Sequence, residues 1–182
     1  MSTRYAALLR GINVGGHRKV PMAELREVLE ELGLSGVATY LGSGNAVFTS
    51  DSADERTLTR NLERAIERRF GFAVDCLVRD AAYLRSIADD CPFPAATLEA
   101  RQLHVTYFSE GVDPERFSAI DRAAFAPEEF RLGDRALYLY APDGLGRSKL
   151  ADVLARPGLT KGIVATSRNW NTVLKLVELT TD

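Results

Sequence analysis

Cysteine and histidine are scarce in this sequence, with two of each among 182 residues. Cys76 and Cys91 lack the close spacing of a metal site, and we expect no secretory leader, so we also expect two reduced thiols and no disulfide. His17 and His104 are too few and too far apart in sequence to make a metal site with them. These scarcities predict a protein with no metal and no bound cofactor.

Long hydrophobic runs are also missing. No stretch approaches the roughly 20 apolar residues that a membrane span requires, and the apolar run at residues 5–9 is shorter than the hydrophobic region of a secretory signal. With 46% hydrophobic and 26% charged residues, the composition is that of an ordinary globular protein. We therefore expect a soluble, cytoplasmic protein with no membrane partner, whose oligomeric state stays open.

Hydrophobic periodicity predicts the element order βαββαβ for residues 1–80. Pro21 and Gly33 suit the two ends of the first helix, whereas Asp51 or Ser52 is the candidate cap of the second and Gly71 its end. The predicted elements are a strand at 5–9, a helix at 22–32, strands at 37–41 and 46–49 around the turn GSGN, a helix ending at 70, and a strand at 72–78.

The second half of the chain repeats this order of elements, without visible sequence identity to the first half. Ser167 or Asn169 is the candidate cap of a closing helix, in which Trp170, Val173, Leu174 and Val177 share one apolar side. The predicted elements are a linking helix at 81–89, a strand at 103–107, a helix at 114–124, hairpin strands at 128–132 and 136–140, a helix at 148–156, a strand at 163–166, and the closing helix.

This repeated order predicts an α+β protein made of two ferredoxin-like α/β-plait domains, residues 1–80 and 101–182, with a linking helix and loop at 81–100. In such a plait the first two strands run parallel with the third between them. The loop at residues 10–19 and the GSGN turn should therefore lie at one edge of the first sheet. The segments GLGRSK and TSRNWNT should share an edge of the second sheet for the same reason.

Four segments contain neither Asp nor Glu: residues 10–20, 37–50, 144–150 and 161–177. Within a chain of net charge −2 they carry eight cations, which are Arg10, Arg18, Lys19, Arg147, Lys149, Lys161, Arg168 and Lys175. Such segregation concentrates positive potential and favours an anionic ligand, most simply one bearing phosphate. The alternative is that these cations satisfy helix C-termini and pair with acids across the domain interface.

Within these segments we select a set of candidate ligand-binding residues. They are Arg10, Asn13, Lys19, Ser43, Asn45, Arg147, Ser148, Lys149, Arg168, Asn169, Trp170 and Asn171. Asn beside Gly often serves the turn itself, and Ser148 is equally a helix cap. Trp170 could stack on a base or sugar, but a core anchor is its favoured interpretation. Gly11 and Gly16 have the spacing of a P-loop's two glycines, but His17 and Arg18 stand where Lys and Ser or Thr are required, and the glycines at 11, 15 and 16 do not form GxGxxG. No nucleophile, base and orienting group can be assembled, so whether the protein is an enzyme stays open.

The motifs RGINVGG with Lys19-Val20-Pro21-Met22, Ser43-Gly44-Asn45, GRSKL and ATSRNWNT resemble a bacterial family catalogued as domain of unknown function 1697. The resemblance extends over essentially the whole chain. It implies a pair of ferredoxin-like plaits and no established activity.

Three hypotheses about function follow from the residues. The first is a module that binds a phosphate-bearing ligand, a nucleotide or single-stranded nucleic acid, in a basic site between the two domains. The second is an enzyme acting on a phosphorylated small molecule, in which the same cations stabilise developing charge. The third gives the motif residues a structural role only.

Overall fold

The structure is a computed structural model that describes residues 1–42, 44–52 and 54–181. The chain divides into two compact units: Met1–Arg85 together with Leu176–Asp182, and Ser86–Lys175. Each unit contains one four-stranded antiparallel sheet. This division differs from the domain boundaries predicted above in two ways. It falls within the helices Ala81–Asp89 and Trp170–Thr180, and it assigns residues 176–182 to the first unit.

The first unit follows the predicted βαββαβ order, and its sheet has the strand order β2-β3-β1-β4. One face of the sheet packs against two helices, where Tyr5, Ala7 and Leu9 contact a core that includes Leu29 and Ile66. The elements are β1 (Thr3–Leu9), α1 (Met22–Glu31), β2 (Ser35–Thr39), β3 (Asn45–Ser50), α2 (Glu55–Phe70) and β4 (Cys76–Asp80). A third helix, α3 (Ala81–Asp89), follows β4 directly.

The sequence pattern predicted the C-terminal end of α2 correctly and its N-terminal cap wrongly. The helix ends at Gly71 as predicted, because this residue takes the left-handed conformation with φ of 82°. The predicted caps Asp51 and Ser52 are wrong: Asp54 is the cap, and its carboxylate accepts from the backbone N–H of Arg56 at 3.1 Å. The helix therefore begins later in the chain than expected, because a cap lies immediately before the first helical turn.

The second unit has the sheet order β6-β7-β5-β8 and a separate core that includes Phe108, Phe117, Phe130 and Leu150. Its edge strand β8 is followed without a gap by the last helix. The elements are β5 (Leu103–Phe108), β6 (Glu129–Gly133), β7 (Ala136–Tyr140), α4 (Lys149–Leu154), β8 (Ala165–Asn169) and α5 (Trp170–Thr180).

Two predicted elements of this unit are wrong. The helix expected at 114–124 is instead a pair of 3-10 turns, Pro114–Phe117 and Arg122–Phe125. The hydroxyl of Ser118 donates to the carbonyl of Glu115, a local bond of the kind that competes with a continuous helix. The last strand lies at Ala165–Asn169 rather than 163–166, because its polar residues pair with β5 along the sheet edge.

The closing helix also differs in detail from its predicted pattern. Asn169 is its cap, as one of the two alternatives proposed, with its side-chain oxygen 3.0 Å from the backbone nitrogen of Thr172. Trp170 is buried as expected, but Leu174 remains 47% exposed while Leu176 is fully buried. The buried stripe is therefore rotated relative to the one that the sequence suggested.

Candidate functional site

We define the first glycine loop as residues 10–19, which connect β1 to α1. Its tip is a two-residue turn: Val14 and His17 form an antiparallel bridge, and Gly15 and Gly16 have φ of 59° and 78°. A turn with positive φ at both central positions requires residues without a Cβ penalty, which is why two glycines occupy it. The loop is therefore a defined hairpin tip.

Asn13 holds this loop in place. Its side-chain nitrogen donates to the carbonyls of Val20 and Gly42 at 3.0 and 2.5 Å, and its side-chain oxygen accepts from the Val20 N–H at 2.8 Å. The bond to Gly42 joins the first glycine loop to the turn between β2 and β3, and the Leu9 N–H donates to the Gly44 carbonyl at 2.9 Å beside it. These bonds confirm that the two loops lie at one edge of the sheet.

Arg18 is the second internal support of the loop. Its guanidinium donates to the carbonyls of Gly11 and Ala73 at 3.0 and 2.6 Å, and it lies 5.3 Å from the ring centre of Phe72. A charged donor that already makes two such bonds is held in one geometry. The sequence pattern counted Arg18 among the cations, but it gave no sign of this structural use.

Three basic residues of the loop remain at the surface. Arg10 lies 4.0 Å from Asp75, with both side chains 54% exposed, so this ion pair is weak. The side chains of His17 and Lys19 are exposed and make no hydrogen bond or ion pair with any residue that the structure describes. Positive charge is therefore available here on a backbone that Asn13 and Arg18 have fixed.

The turn between β2 and β3 contributes backbone rather than side chains. Asn45 is fully buried, and its side-chain nitrogen donates to the Tyr40 carbonyl at 2.8 Å, which closes the hairpin. Gly44 has φ of +99°, and a Cβ there would lie 2.8 Å from the Cβ of Leu9. The remaining candidate of this turn, Ser43, lies outside the described residues.

We define the second glycine loop as residues 144–149, between β7 and α4. Ser148 is buried, and its hydroxyl accepts from the Ala151 N–H at 2.9 Å, so it caps α4. The carboxylate of Glu128 accepts from the Leu150 N–H at 3.1 Å. Arg147 and Lys149 are exposed, and their side chains have no partner in the described part of the chain.

The last predicted segment lies on β8 and at the start of α5. Arg168 is only 8% exposed and donates to the Thr166 hydroxyl at 2.6 Å and the Ser167 carbonyl at 2.9 Å. Burial lowers the pKa of its guanidinium to about 10, so the side chain stays charged at neutral pH. Asn169 caps α5 and Trp170 is 7% exposed, which leaves Asn171 as the exposed candidate of this segment.

The remaining titratable groups contribute no nucleophile. Burial raises the pKa of both thiols, Cys76 and Cys91, so neither is an activated thiolate. His104 on β5 is 8% exposed, and burial lowers the pKa of its imidazole. Its Nδ1 has no hydrogen-bond partner among the residues that the structure describes.

In the ranges 1–42, 44–52 and 54–181, no helix combines the length and the apolar character needed to cross a membrane.

Comparison with known proteins gives a family and, among the solved structures that match, one that is described below. The profile of a family described as "Protein of unknown function (DUF1697)" matches residues 2–138. This span contains the first glycine loop and the turn between β2 and β3, and it ends before the second glycine loop and β8. No curated protein matches the chain.

The solved structure is that of the conserved bacterial protein SP0830 from Streptococcus pneumoniae. It is 26% identical in sequence, the alignment covers 100% of each chain, and the TM-score is 0.80. That protein is described as conserved, without a ligand or a reaction. The comparison therefore extends the likeness over both units and leaves function to the chemistry of the residues.

Proposed function

Because the chain belongs to the DUF1697 family of proteins of unknown function, we propose a function from its own chemistry: it binds a phosphate-bearing anion through the first glycine loop. The ligand class is a nucleotide or single-stranded nucleic acid. The supporting observation is that two sets of side chains in one loop have different roles. Asn13 and Arg18 hold the backbone, while Arg10, His17 and Lys19 stay exposed beside it.

The energetic reason for this assignment is preorganisation. A loop that is already held by hydrogen bonds loses little conformational freedom when it takes a ligand, so more of the attraction appears as affinity. Loop segments with cations and no acid raise the local concentration of anions and their rate of association. The weak pair between Arg10 and Asp75 costs little to break, since both groups are half-exposed.

The proposal includes the architecture that carries the loop. We propose that each unit is a ferredoxin-like plait, which the antiparallel orders β2-β3-β1-β4 and β6-β7-β5-β8 support. A bacterial, cytoplasmic protein is consistent with two free cysteines and with the bacterial solved structure. The placement of the ligand between the two units stays a prediction from charge, and a double-variant experiment tests it.

Binding is tested by calorimetry with pyrophosphate, nucleotides and a short single-stranded oligonucleotide, each at low and moderate salt. Lys19→Ala and Arg10→Ala should each weaken binding several-fold and reduce its salt dependence. Arg64→Ala is the matched control, because it removes an exposed arginine from α2 in the same unit. Absence of binding, or an equal loss in Arg64→Ala, contradicts the proposal.

The same assay tests whether the second glycine loop joins the same ligand. If it does, Lys19→Ala and Lys149→Ala should each weaken the binding of one ligand, and the double variant should show one binding event of much lower affinity. Separate, additive losses in two binding events would place the two loops at independent sites.

Catalysis is a weaker alternative on these observations. The described residues present no activated thiol, and His17 has no carboxylate partner among them that would orient it as a base. Hydrogen bonds made by Asn13, Asn45 and Ser148 favour the structural hypothesis for those three residues. Incubation of the protein with bound nucleotide, followed by phosphate release, measures turnover directly.

A further inference from the structure

Exposed apolar side chains coincide with the cationic loops. Among the described residues, the large hydrophobic side chains that are exposed are Met1, Val14, Leu41, Leu145 and Leu174. Val14 lies at the tip of the first glycine loop and Leu145 in the second, while Leu41 begins the turn between β2 and β3. Apart from the N-terminal Met1, only Leu174 in this set lies away from a glycine-containing turn. The coincidence points to a ligand with both charged and apolar parts.

Val14 and Leu41 are presented by one connected piece of backbone. They are 65% and 55% exposed, and each is next in sequence to a residue of the Asn13–Gly42 hydrogen bond. Val14 is fixed by its bridge to His17. Leu41 has φ of +57°, a left-handed conformation that is unfavourable for a branched apolar residue. The chain thus holds a leucine in a costly conformation and leaves its side chain in water.

This arrangement distinguishes classes of phosphate ligand. Inorganic phosphate and sugar phosphates offer charge and hydroxyls, so they leave Val14 and Leu41 uncovered. A nucleotide carries its phosphates on one side and the apolar faces of its base on the other, and covering aliphatic surface with such a face adds affinity. We propose that the ligand of the first glycine loop is a nucleotide whose base packs on Val14 and Leu41 while Lys19 and Arg10 bind its phosphates.

This inference rests on the proposed anion-binding function, narrows the ligand to a nucleotide and assigns the two side chains that contact its base. The small number of exposed apolar side chains favours a single base over an anionic membrane, since only Val14 and Leu41 are exposed large hydrophobic residues among the described residues of these two turns. Within the described part of the first unit, the other exposed large hydrophobic residue is Met1. A lipid surface is nevertheless a defined outcome of the test.

The test compares pyrophosphate with adenosine and uridine nucleotides by calorimetry on the full chain. The double variant Val14→Thr with Leu41→Asn keeps the side-chain shapes, and Asn tolerates positive φ better than leucine does. It should weaken nucleotide binding about tenfold and leave the pyrophosphate Kd unchanged. Leu174→Gln, which replaces an exposed leucine outside the loops, should change neither.

The outcomes separate this inference from the proposed function. Pyrophosphate binding that depends on Lys19, together with nucleotide binding that the double variant does not weaken, overturns the nucleotide assignment and keeps the anion site. Equal losses for both ligands mean that the two side chains only support the loop, which also overturns it. Binding to vesicles of anionic lipid that exceeds nucleotide binding replaces the base with a lipid. Absence of any Lys19-dependent binding removes both proposals.

Discussion

The two glycine loops have the same local composition and different environments. Both contain glycines and cations and lack acids within their own segments. In the second loop, however, the Glu128 carboxylate accepts from the Leu150 N–H and Ser148 caps the same helix, so the chain itself supplies the anion at that helix start. In the first loop, Asp75 reaches Arg10 only at 4.0 Å. A segment without acids is therefore free for a ligand only if no acid from elsewhere in the chain approaches it.

The side chains that hold the two loops in place also differ in the number and reach of their hydrogen bonds. Asn13 makes three side-chain hydrogen bonds, two with Val20 and one that joins the first loop to the turn between β2 and β3 at Gly42. Ser148 makes one local bond within a single helix turn. The first loop is thus a surface composed of two connected segments, whereas the second is the start of a short helix.

Among the variants that test this comparison, we expect the largest loss of stability at Gly44. Gly44→Ala places a Cβ 2.8 Å from the Cβ of Leu9 at a φ of +99°, and we expect it to lower the free energy of unfolding by about 3 kcal/mol. Gly146→Ala in the second loop meets no atom within 4 Å and should change stability by at most about 0.5 kcal/mol. Chemical denaturation measures both. Equal effects would show that the two turns are equally open.

Substitutions of Asn13 and Ser148, which hold the two loops in place, give the next largest difference in the free energy of unfolding. Asn13→Ala removes three hydrogen bonds at a residue with φ of +56° and should cost about 2 kcal/mol, whereas Ser148→Ala removes one cap bond and should cost about 1 kcal/mol. Ser148→Thr keeps a hydroxyl cap and should restore most of the loss. Thermal and denaturant unfolding of the three variants checks this order. A larger loss in Ser148→Ala would invert the comparison.

The smallest expected effect is the change in the pH dependence of stability when His104 of the second unit is replaced. Burial lowers the pKa of His104 in the folded state below its ordinary value of 6.5. The unfolded chain therefore binds a proton first as pH falls, so the stability from neutral His104 is full above about pH 6.5 and declines below it. His104→Gln should flatten the pH dependence of the melting temperature between pH 7 and 5. A pH dependence in His104→Gln as steep as that of the wild type would contradict the assignment.

Much of the fold was predictable because it depends on local periodicity. The order βαββαβ of the first unit, the end of α2 at Gly71 and the proximity of its two edge loops all follow from apolar spacing and glycine positions. Prediction failed where polar residues form regular structure. The residues of TSRN lie in β8, and no hydrophobic pattern marks an edge strand whose inward positions are Thr166 and Arg168.

The location of the candidate site stays a prediction, whereas the structure shows the roles of several of its side chains. Acid-free composition selected the first glycine loop, but Asn13 and Asn45 bind the protein's own backbone, and Arg168 is buried on a strand. The role of Asn13 depends on the distant partner Gly42 and that of Arg18 on Ala73, and no local pattern reveals either contact. The exposure of Val14 and Leu41 was missed for a related reason, since an apolar residue in a sequence is normally read as part of a core.

The first unit is discontinuous along the chain, and this has a consequence for biosynthesis. Arg4 on β1 donates to the carbonyl of Leu179, and Arg85 donates to the hydroxyl of Thr181, so the opening strand is bonded to the final turn of α5. These contacts form only after residues 179–181 have left the ribosome. Nascent chains stalled before residue 179 should therefore lack both hydrogen bonds, and an excised fragment that ends at residue 85 would lack part of its own unit.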